Sequence, residues 1–298
     1  MSKESEIKKL GESWEVSDLD NAISVVSSGE FKGQTLRELV KKYKNQLLGN
    51  SVFEKFGLHF PVLVKFLDAH LPLSIQVHPN NELAKQRYGG YGKSEMWYII
   101  HAEQGSEIIT GLSKDITQKE FKKTIQSGSF KSLFRKEKIA PGEVYYLPAG
   151  CVHAIGAGSL ILEIQQTSDI TYRIYDYERI DPETSTKRTL HLEKAMSAIN
   201  FQGIESCKIN YEAPKNGFSK LLKTPFFTTN MLEVKEKMTR NLTEIDSFVI
   251  YTCVEGVAEI TIKQEKATIA KGETILLPAV VNQCTFSGLY AKMVEVYF

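Results

Sequence analysis

The sequence predicts a mainly β protein with two β domains, helical segments being inserted in or flanking the first. Three observations lead there. From Pro61 onward, short runs rich in Val, Ile, Leu and Tyr alternate with Gly, Pro and Asn, the punctuation of strands and turns. Beyond residue 218 such runs follow one another without helix-length periodicity, which disfavours βαβ crossovers and leaves antiparallel sandwiches or barrels. Finally, one strand-turn pattern occurs twice, late in each half of the chain.

The first helix is predicted over TLRELVKKYKNQLLG, residues 35–49. Thr35 and Glu38 make a capping-box pair, and Leu36, Leu39, Val40, Tyr43 and Leu47 recur at helical spacing before Gly49. Strands are expected in VLVKFLDA, LSIQVHP, MWYIIHA, SEIITGL and VYYLP. Residues 115–134 turn helical again, with Thr117 and Glu120 repeating the capping box ahead of Phe121 and Ile125, and Gly128 breaking the run. Another helix is predicted in HLEKAMSAI, residues 191–199, after the turn-rich DPETSTKR, a candidate domain junction. The closing strands are FFTTNMLEV, SFVIYTCV, VAEITIK, ATIA, TILLP and AKMVEVYF. This divides the chain into a first domain over 1–200, a linker over 201–217 and a second domain over 218–298.

With 42% hydrophobic and 24% charged residues among 298, the composition is that of an ordinary globular protein. The 37 basic and 36 acidic side chains leave a formal charge of +1, too small a field to gather nucleic acid or an anionic membrane, so neither is expected as a partner. An anionic ligand must then be captured locally. No stretch approaches the roughly 18 apolar residues needed to span a bilayer. The opening MSKESEIKKLGES lacks the apolar core of a signal peptide, and a cytoplasmic location is expected. Cys151, Cys207, Cys253 and Cys284 are far apart with no CxxC pair, which suits reduced thiols in packed positions.

The repeated pattern is PGEVYYLPAGCVHA at 141–154 and KGETILLPAVVNQC at 271–284. Gly142, Pro148 and His153 in the first copy correspond to Gly272, Pro278 and Gln283 in the second. The turn framework is kept while the imidazole is lost. No histidine follows His191, so a histidine-based metal site is expected only in the first domain.

A candidate site appears in LSIQVHPN. Gln76 and His78 lie two apart, and a strand turns residues i and i+2 to the same face. Pro79 and Asn80 end that strand at once, placing the pair near a barrel mouth. Glu95 precedes the apolar run MWYII, and His153 arrives from the later motif. Two imidazoles, a carboxylate and an amide oxygen suit zinc, although iron, manganese, cobalt or nickel take similar ligands.

The segment running through Gly142, Pro148, Gly150 and His153 resembles the second motif of the cupin superfamily, which implies two jelly-roll β-barrel domains of cupin type. A more specific likeness covers most of the first 200 residues. GESWEVS, SIQVHPN, KSEMWYI, LPAGCVHAIG and LEIQQTSDITYRIYDY, in this order and spacing, resemble the type I mannose-6-phosphate isomerase family. The resemblance implies a zinc-dependent aldose-ketose isomerase acting on a sugar phosphate, a monomer or homodimer with one zinc ion per chain held by Gln76, His78, Glu95 and His153. It also implies an arginine at Arg173, a lysine at Lys93 and acidic pocket residues at Glu163 and Asp169. Only ten residues precede the GESWE motif, where family members usually carry a further strand-bearing segment.

The expected chemistry is proton transfer between C1 and C2 through a cis-enediol or enediolate, whose difficulty is negative charge on oxygen. Arg173 would lie against that charge, and Lys93 would orient the sugar or shuttle a proton between oxygens. Glu163 is the leading candidate for carbon-bound proton transfer, because a carboxylate dried by a barrel wall can have its pKa raised. Arg173, Lys93 and Lys114 are candidate phosphate contacts, Arg173, Lys93 and Asp169 the substrate-binding set. Cys151 shares strand parity with His153 and reads as a small buried hydrophobe. Two alternatives stay open at this stage: an iron-dependent cupin oxygenase, whose usual first motif has a histidine where Gln76 stands, and a non-catalytic sugar-binding cupin.

Overall fold

The computed structural model describes residues 11–128, 130–181 and 184–298. Expectations that touch residues 1–10, residue 129 of the predicted 115–134 helix, or residues 182 and 183 of DPETSTKR lie there outside the described residues. Among the described residues, two compact units form: Trp14–Lys65 with Asn210–Phe298, and Gly11–Ser13 with Phe66–Ile209.

The chain opens with strand β1 (Glu12–Val16) and three short helices, α1 (Leu36–Tyr43), α2 (Asn45–Leu48) and α3 (Asn50–Phe56). The capping box is present on α1: the Thr35 hydroxyl accepts from the Glu38 amide, and the Glu38 carboxylate accepts from the Thr35 amide at 2.8 Å. The single helix expected over 35–49 is interrupted at Lys44, whose φ of 46° is non-helical, and stops as expected at Gly49, with φ of 93°. Gly49 is required there, since a Cβ would lie 2.3 Å from the carbonyl oxygen of Asp246. The Asp246 carboxylate in turn accepts from the amides of Asn50 and Ser51, satisfying the start of α3.

Next come β2 (Val62–Ala69), β3 (Ile75–Val77), α4 (Asn81–Tyr88), β4 (Glu95–Ala102) and β5 (Glu107–Leu112). After α5 (Gln118–Gln126) the chain returns to strands as β6 (Phe134–Lys138), β7 (Val144–Leu147), β8 (His153–Ile155), β9 (Ser159–Gln166) and β10 (Tyr172–Tyr175). Helix α6 (Leu192–Met196) and β11 (Lys208–Ile209) follow. The second capping box holds at Thr117 and Glu120, but the helix expected over 115–134 is shorter: Gly128 adopts φ of 75° and Phe134 already belongs to a strand.

In the unit containing Phe66–Ile209, one sheet has neighbours in the order β2–β9–β4–β7–β11 and the other β10–β3–β8–β5–β6. Strand parity sorts the second sheet's two faces. Ile75, Val77, Ala154, Tyr172 and Ile174 pack outward with Phe121 of α5 and with Ala195 and Met196 of α6. Trp97, Ile99, Tyr145, Leu147 and Ile161 of the first sheet pack with Ile108 and Ile155 of the second. The alternate positions Gln76, His153 and Arg173 are thereby turned away from the helices. Both sheets end in edge strands, so the barrel expected from the sequence is an open jelly-roll sandwich. At β10 the edge is met by irregular chain: the His191 amide donates to the Arg173 carbonyl at 2.7 Å, and the Arg173 amide donates to His191 Nδ1 at 3.2 Å.

The other unit carries β12 (Gly217–Lys223), β13 (Thr228–Val234), β14 (Met238–Asn241), β15 (Val249–Ile262), β16 (Glu265–Ala270), β17 (Thr274–Leu277) and β18 (Gln283–Tyr297). The path β12–β13–β18–β15–β16 is antiparallel, with β14 on β18 and β17 on β15. Each long strand changes partner along its length. β15 pairs β17 over Val249–Thr252 and β16 over Val257–Ile262, bending at Gly256, whose φ is 76°. A Cβ at Gly256 would meet the Tyr290 carbonyl oxygen at 2.2 Å. Inside, the Glu295 carboxylate accepts from both Arg240 Nε (2.9 Å) and Arg240 Nη2 (3.0 Å), and from the Tyr251 hydroxyl at 2.8 Å.

The sequence repeat is a repeat of structure. Gly142 and Gly272 both have φ of 88°, and their amides donate to the carbonyls of Ile99 and Cys253, each at 2.8 Å. The carboxylates of Glu143 and Glu273 accept from the amides of Ala140 and Ala270 in the same way. Cys151 and Val281 amides close the following turn onto Pro148 and Pro278, each at 3.0 Å.

Candidate metal centre

Two sheet registers assemble the site. In the second sheet, Gln76 lies opposite His153 on one side and opposite Arg173 on the other, and His153 lies opposite Thr110. In the first sheet, Trp97 lies opposite Glu163, and Glu95 opposite Gln165. Glu95 and Trp97 share one face of β4 by the two-residue period, with Lys93 just ahead of the strand. His78 follows directly on β3, where its carbonyl accepts from the Gly150 amide at 3.0 Å and the next carbonyl, of Pro79, accepts from the Lys93 amide at 3.1 Å.

His78, Glu95 and His153 are 1%, 0% and 1% exposed. One donor atom from each lies within 4.8 Å of the others. His78 Nε2 is 3.5 Å from Glu95 Oε2, and His153 Nε2 is 3.2 Å from Glu95 Oε1. Each ring has its other nitrogen against a main-chain carbonyl: His78 Nδ1 donates to Ile170 O at 2.8 Å and His153 Nδ1 to Cys151 O at 2.9 Å. This fixes the tautomer, so both Nε2 atoms present lone pairs to the site.

The electrostatics call for a cation. Burial, followed by the charge of Lys93, pushes His78 down to about 3, and burial likewise lowers His153. Neither ring is protonated near neutral pH. Glu95 is held well below the ordinary carboxylate range, its own burial being opposed chiefly by the charge of Lys93. Two nitrogen lone pairs therefore face one carboxylate, and His78 Nε2 and Glu95 Oε1 have no hydrogen-bond partner among the described residues. A divalent ion between them would satisfy all three side chains, and the donor set of imidazole nitrogen and carboxylate oxygen is one such ions take.

Gln76 is half-buried at the rim of this cluster. Its amide nitrogen is 3.2 Å from His153 Nε2, and its oxygen accepts from the Ser74 hydroxyl at 3.2 Å. A half-turn of the amide exchanges the two atoms and brings the oxygen to the site.

Lys93 and Glu163, each 4% exposed, adjoin the cluster. The Lys93 ammonium donates to Glu95 and lies 3.8 Å from Glu163 Oε2. Although burial alone would lower it, Glu163 and Glu95 raise the Lys93 pKa above its ordinary value, with a smaller contribution from Glu12. Lys93 is thus an ammonium rather than a free amine. The indole N–H of Trp97 donates to Glu163 Oε1 at 3.0 Å. Arg173 is half-buried, its Nη1 donating to Thr189 O at 3.1 Å and its Nε buried without a partner among the described residues. Burial, and then Arg188, lower its pKa.

The structure does not bring the remaining candidates into this cluster. Asp169 is exposed in the turn before β10, and Lys114 is exposed after β5. Cys151 turns its thiol to that of Cys207 at 3.8 Å and packs between the sheets. Trp97 and Gln166 also adjoin the site, and no sequence motif singles them out. Trp97 lies two residues beyond Glu95, within the expected strand MWYIIHA, so strand parity was a signal for it. Gln166 gave none: its side-chain oxygen accepts from the Ser94 amide at 3.0 Å, a long-range contact that pins the residue between Lys93 and Glu95.

Comparison with known proteins identifies the family of the chain. The family model described as phosphomannose isomerase type I, catalytic domain, matches residues 2–91, and the one described as mannose-6-phosphate isomerase, cupin domain, matches residues 218–298. The mannose-6-phosphate isomerase of Streptococcus mutans is 34% identical over 291 residues, covering 93% of this chain and 85% of that protein. Mannose-6-phosphate isomerase ManA of Bacillus subtilis is 35% identical over 290 residues, covering 96% of this chain and 89% of its own. The crystal structure of the mannose 6-phosphate isomerase from Bacillus subtilis aligns with a TM-score of 0.87 at 32% identity, over 97% of this chain and 90% of that one. The chain belongs to the type I phosphomannose isomerase family.

Proposed function

We propose that this protein is a zinc-dependent aldose-ketose isomerase that interconverts mannose 6-phosphate and fructose 6-phosphate by proton transfer through a cis-enediol or enediolate. The observation that carries this reading is the pair of neutral imidazoles aimed at one buried carboxylate, inside a chain of this family. His78, Glu95 and His153 would hold the zinc, with the Gln76 amide oxygen as fourth ligand. Bound there, zinc would supply a Lewis acid beside the substrate's oxygens.

The chain's own residues account for the rest. Glu163 is the base that takes the carbon-bound proton and returns it to the neighbouring carbon, its carboxylate steadied by the Trp97 indole and the nearby Lys93 ammonium. Lys93 donates hydrogen bonds to a sugar oxygen and can pass a proton between oxygens. Arg173, in the same cross-strand row as Gln76 and His153, lies against the developing oxyanion. Its fixed charge, with those of Lys93 and Lys114, also makes it a candidate contact for the phosphate; Asp169 would meet the sugar from the exposed turn before β10. The reading includes a cytoplasmic location and a monomeric or dimeric assembly.

The test is an assay of the purified protein for fructose 6-phosphate formed from mannose 6-phosphate, with elemental analysis of the same sample. Isomerisation together with about one zinc per chain is expected, as for a single catalytic zinc site. Oxygen consumption with bound iron and no isomerisation would overturn the proposal.

A further inference from the structure

Trp97 is buried at 1% exposure between two groups of the site. Its register partner on β9 is Glu163, so the two side chains project side by side from one face of the sheet. The indole N–H reaches Glu163 Oε1 at 3.0 Å, while the ring stands edge-on to His153, with centroids 5.5 Å apart and planes at 78°. An indole has a single hydrogen-bond donor and no acceptor, so this contact commits its entire polar capacity. The remaining carboxylate oxygen, Oε2, is the one that faces Lys93 at 3.8 Å.

Building on the role given above to Glu163, we infer that Trp97 is a positioning residue for proton transfer: it ties down Oε1 of Glu163 and so leaves Oε2 as the oxygen that works on the substrate. A carboxylate held at one oxygen cannot rotate about its terminal torsion, which is otherwise broad. Its other oxygen keeps one bearing towards the substrate carbon. The effect belongs to the chemical step, since neither the ligands His78, Glu95 and His153 nor the cation Arg173 depends on the indole N–H.

The experiment compares Trp97→Phe, Glu163→Gln and the double variant, each loaded with zinc, for kcat, KM and metal content. Phe keeps a packed ring and removes the N–H. Trp97→Phe is expected to lower kcat about 10-fold or more, the scale of a lost hydrogen bond to a charged group, with KM within about 2-fold and metal content unchanged. Glu163→Gln is expected to lower kcat further, and the double variant should match Glu163→Gln alone, because the indole acts only through that carboxylate. Full kcat in Trp97→Phe with impaired Glu163→Gln, or multiplying losses in the double variant, would overturn the inference while leaving the role of Glu163 intact. Full kcat in Glu163→Gln would sink both. Should the Phe variant not fold, benzothienylalanine at position 97, which exchanges the N–H for sulfur at nearly constant size, is measured in its place against the same expectations.

Discussion

His78 and His153 face each other with ring centroids 4.7 Å apart, each donating its Nδ1 proton to a backbone carbonyl and turning Nε2 towards Glu95. Main-chain oxygens thus set both tautomers, and the rings are prepared for a cation before one arrives. Exchanging His153 for Gln should therefore release the metal: content per chain is expected to fall at least about 10-fold by elemental analysis, with circular dichroism retained. Undiminished content in His153→Gln would mean that the metal binds elsewhere.

Acid should destabilise the metal-free protein early. Burial holds His78 at about 3 and depresses His153, whereas the unfolded chain's imidazoles take up protons near 6.5. The folded pKa being the lower one, the His78 stabilisation is fully present above about 6.5 and drains as pH falls from there towards 3, at about 1.4 kcal/mol per pH unit, and His153 adds a loss of the same sign. Urea midpoints of the chelator-treated protein should drop between pH 7 and 5, and His78→Gln should flatten the slope. An unchanged midpoint over that range would contradict the buried neutral rings.

Arg173 lies directly opposite Gln76 in the sheet register but donates to Thr189 rather than to a member of the His78–Glu95–His153 cluster. Arg173→Ala is expected to cut kcat by roughly 100-fold or more, as removal of a group opposing developing oxyanion charge does, with zinc content near normal. Zinc loss in this variant would relocate Arg173 to the metal shell.

Lys93→Met should separate charge balance from metal holding. The ammonium sits between Glu95 and Glu163, so its removal leaves two buried carboxylates without their shared cation. Without metal the variant should unfold more readily than the parent by about 3 kcal/mol, the scale of a broken buried pair. With metal restored, most of that deficit should vanish while activity stays low. Equal stability of variant and parent without metal would show the ammonium to be dispensable for the fold.

In the other unit, Gly256→Ala should cost about 2 kcal/mol or more, because φ of 76° and a Cβ 2.2 Å from a carbonyl oxygen are both unfavourable. Thermal unfolding would show it as a lowered midpoint, and a neutral result would mean that the β15–β18 pair yields freely.

Local rules carried the sequence reading where local physics decides. Both capping boxes, at Thr35 and Thr117, hold, and the Gly142 and Gly272 turns match because the same Gly and Glu make the same bonds. The helix over 35–49 ends at Gly49, where the sequence placed its end, but its interruption at Lys44, with φ of 46°, is marked by no local pattern. Gln76 and His78 were legible through strand parity, whereas Lys93 was reached through the family resemblance. The carbonyls of Ile170 and Cys151 that orient the rings were not, since backbone groups leave no mark in a sequence.

A strand's two faces also tie chemistry to correct folding. β4 reaches the site with Glu95 and Trp97 on one face and Lys93 just ahead of the strand, while Met96 and Tyr98 are buried on the other. Slippage of β4 by a single residue against β9 would leave most hydrogen bonds formable and the core still apolar, yet would carry Glu95 and Trp97 out of the site. Recovered activity after refolding is therefore a readout of strand pairing itself, one that secondary-structure spectroscopy would miss.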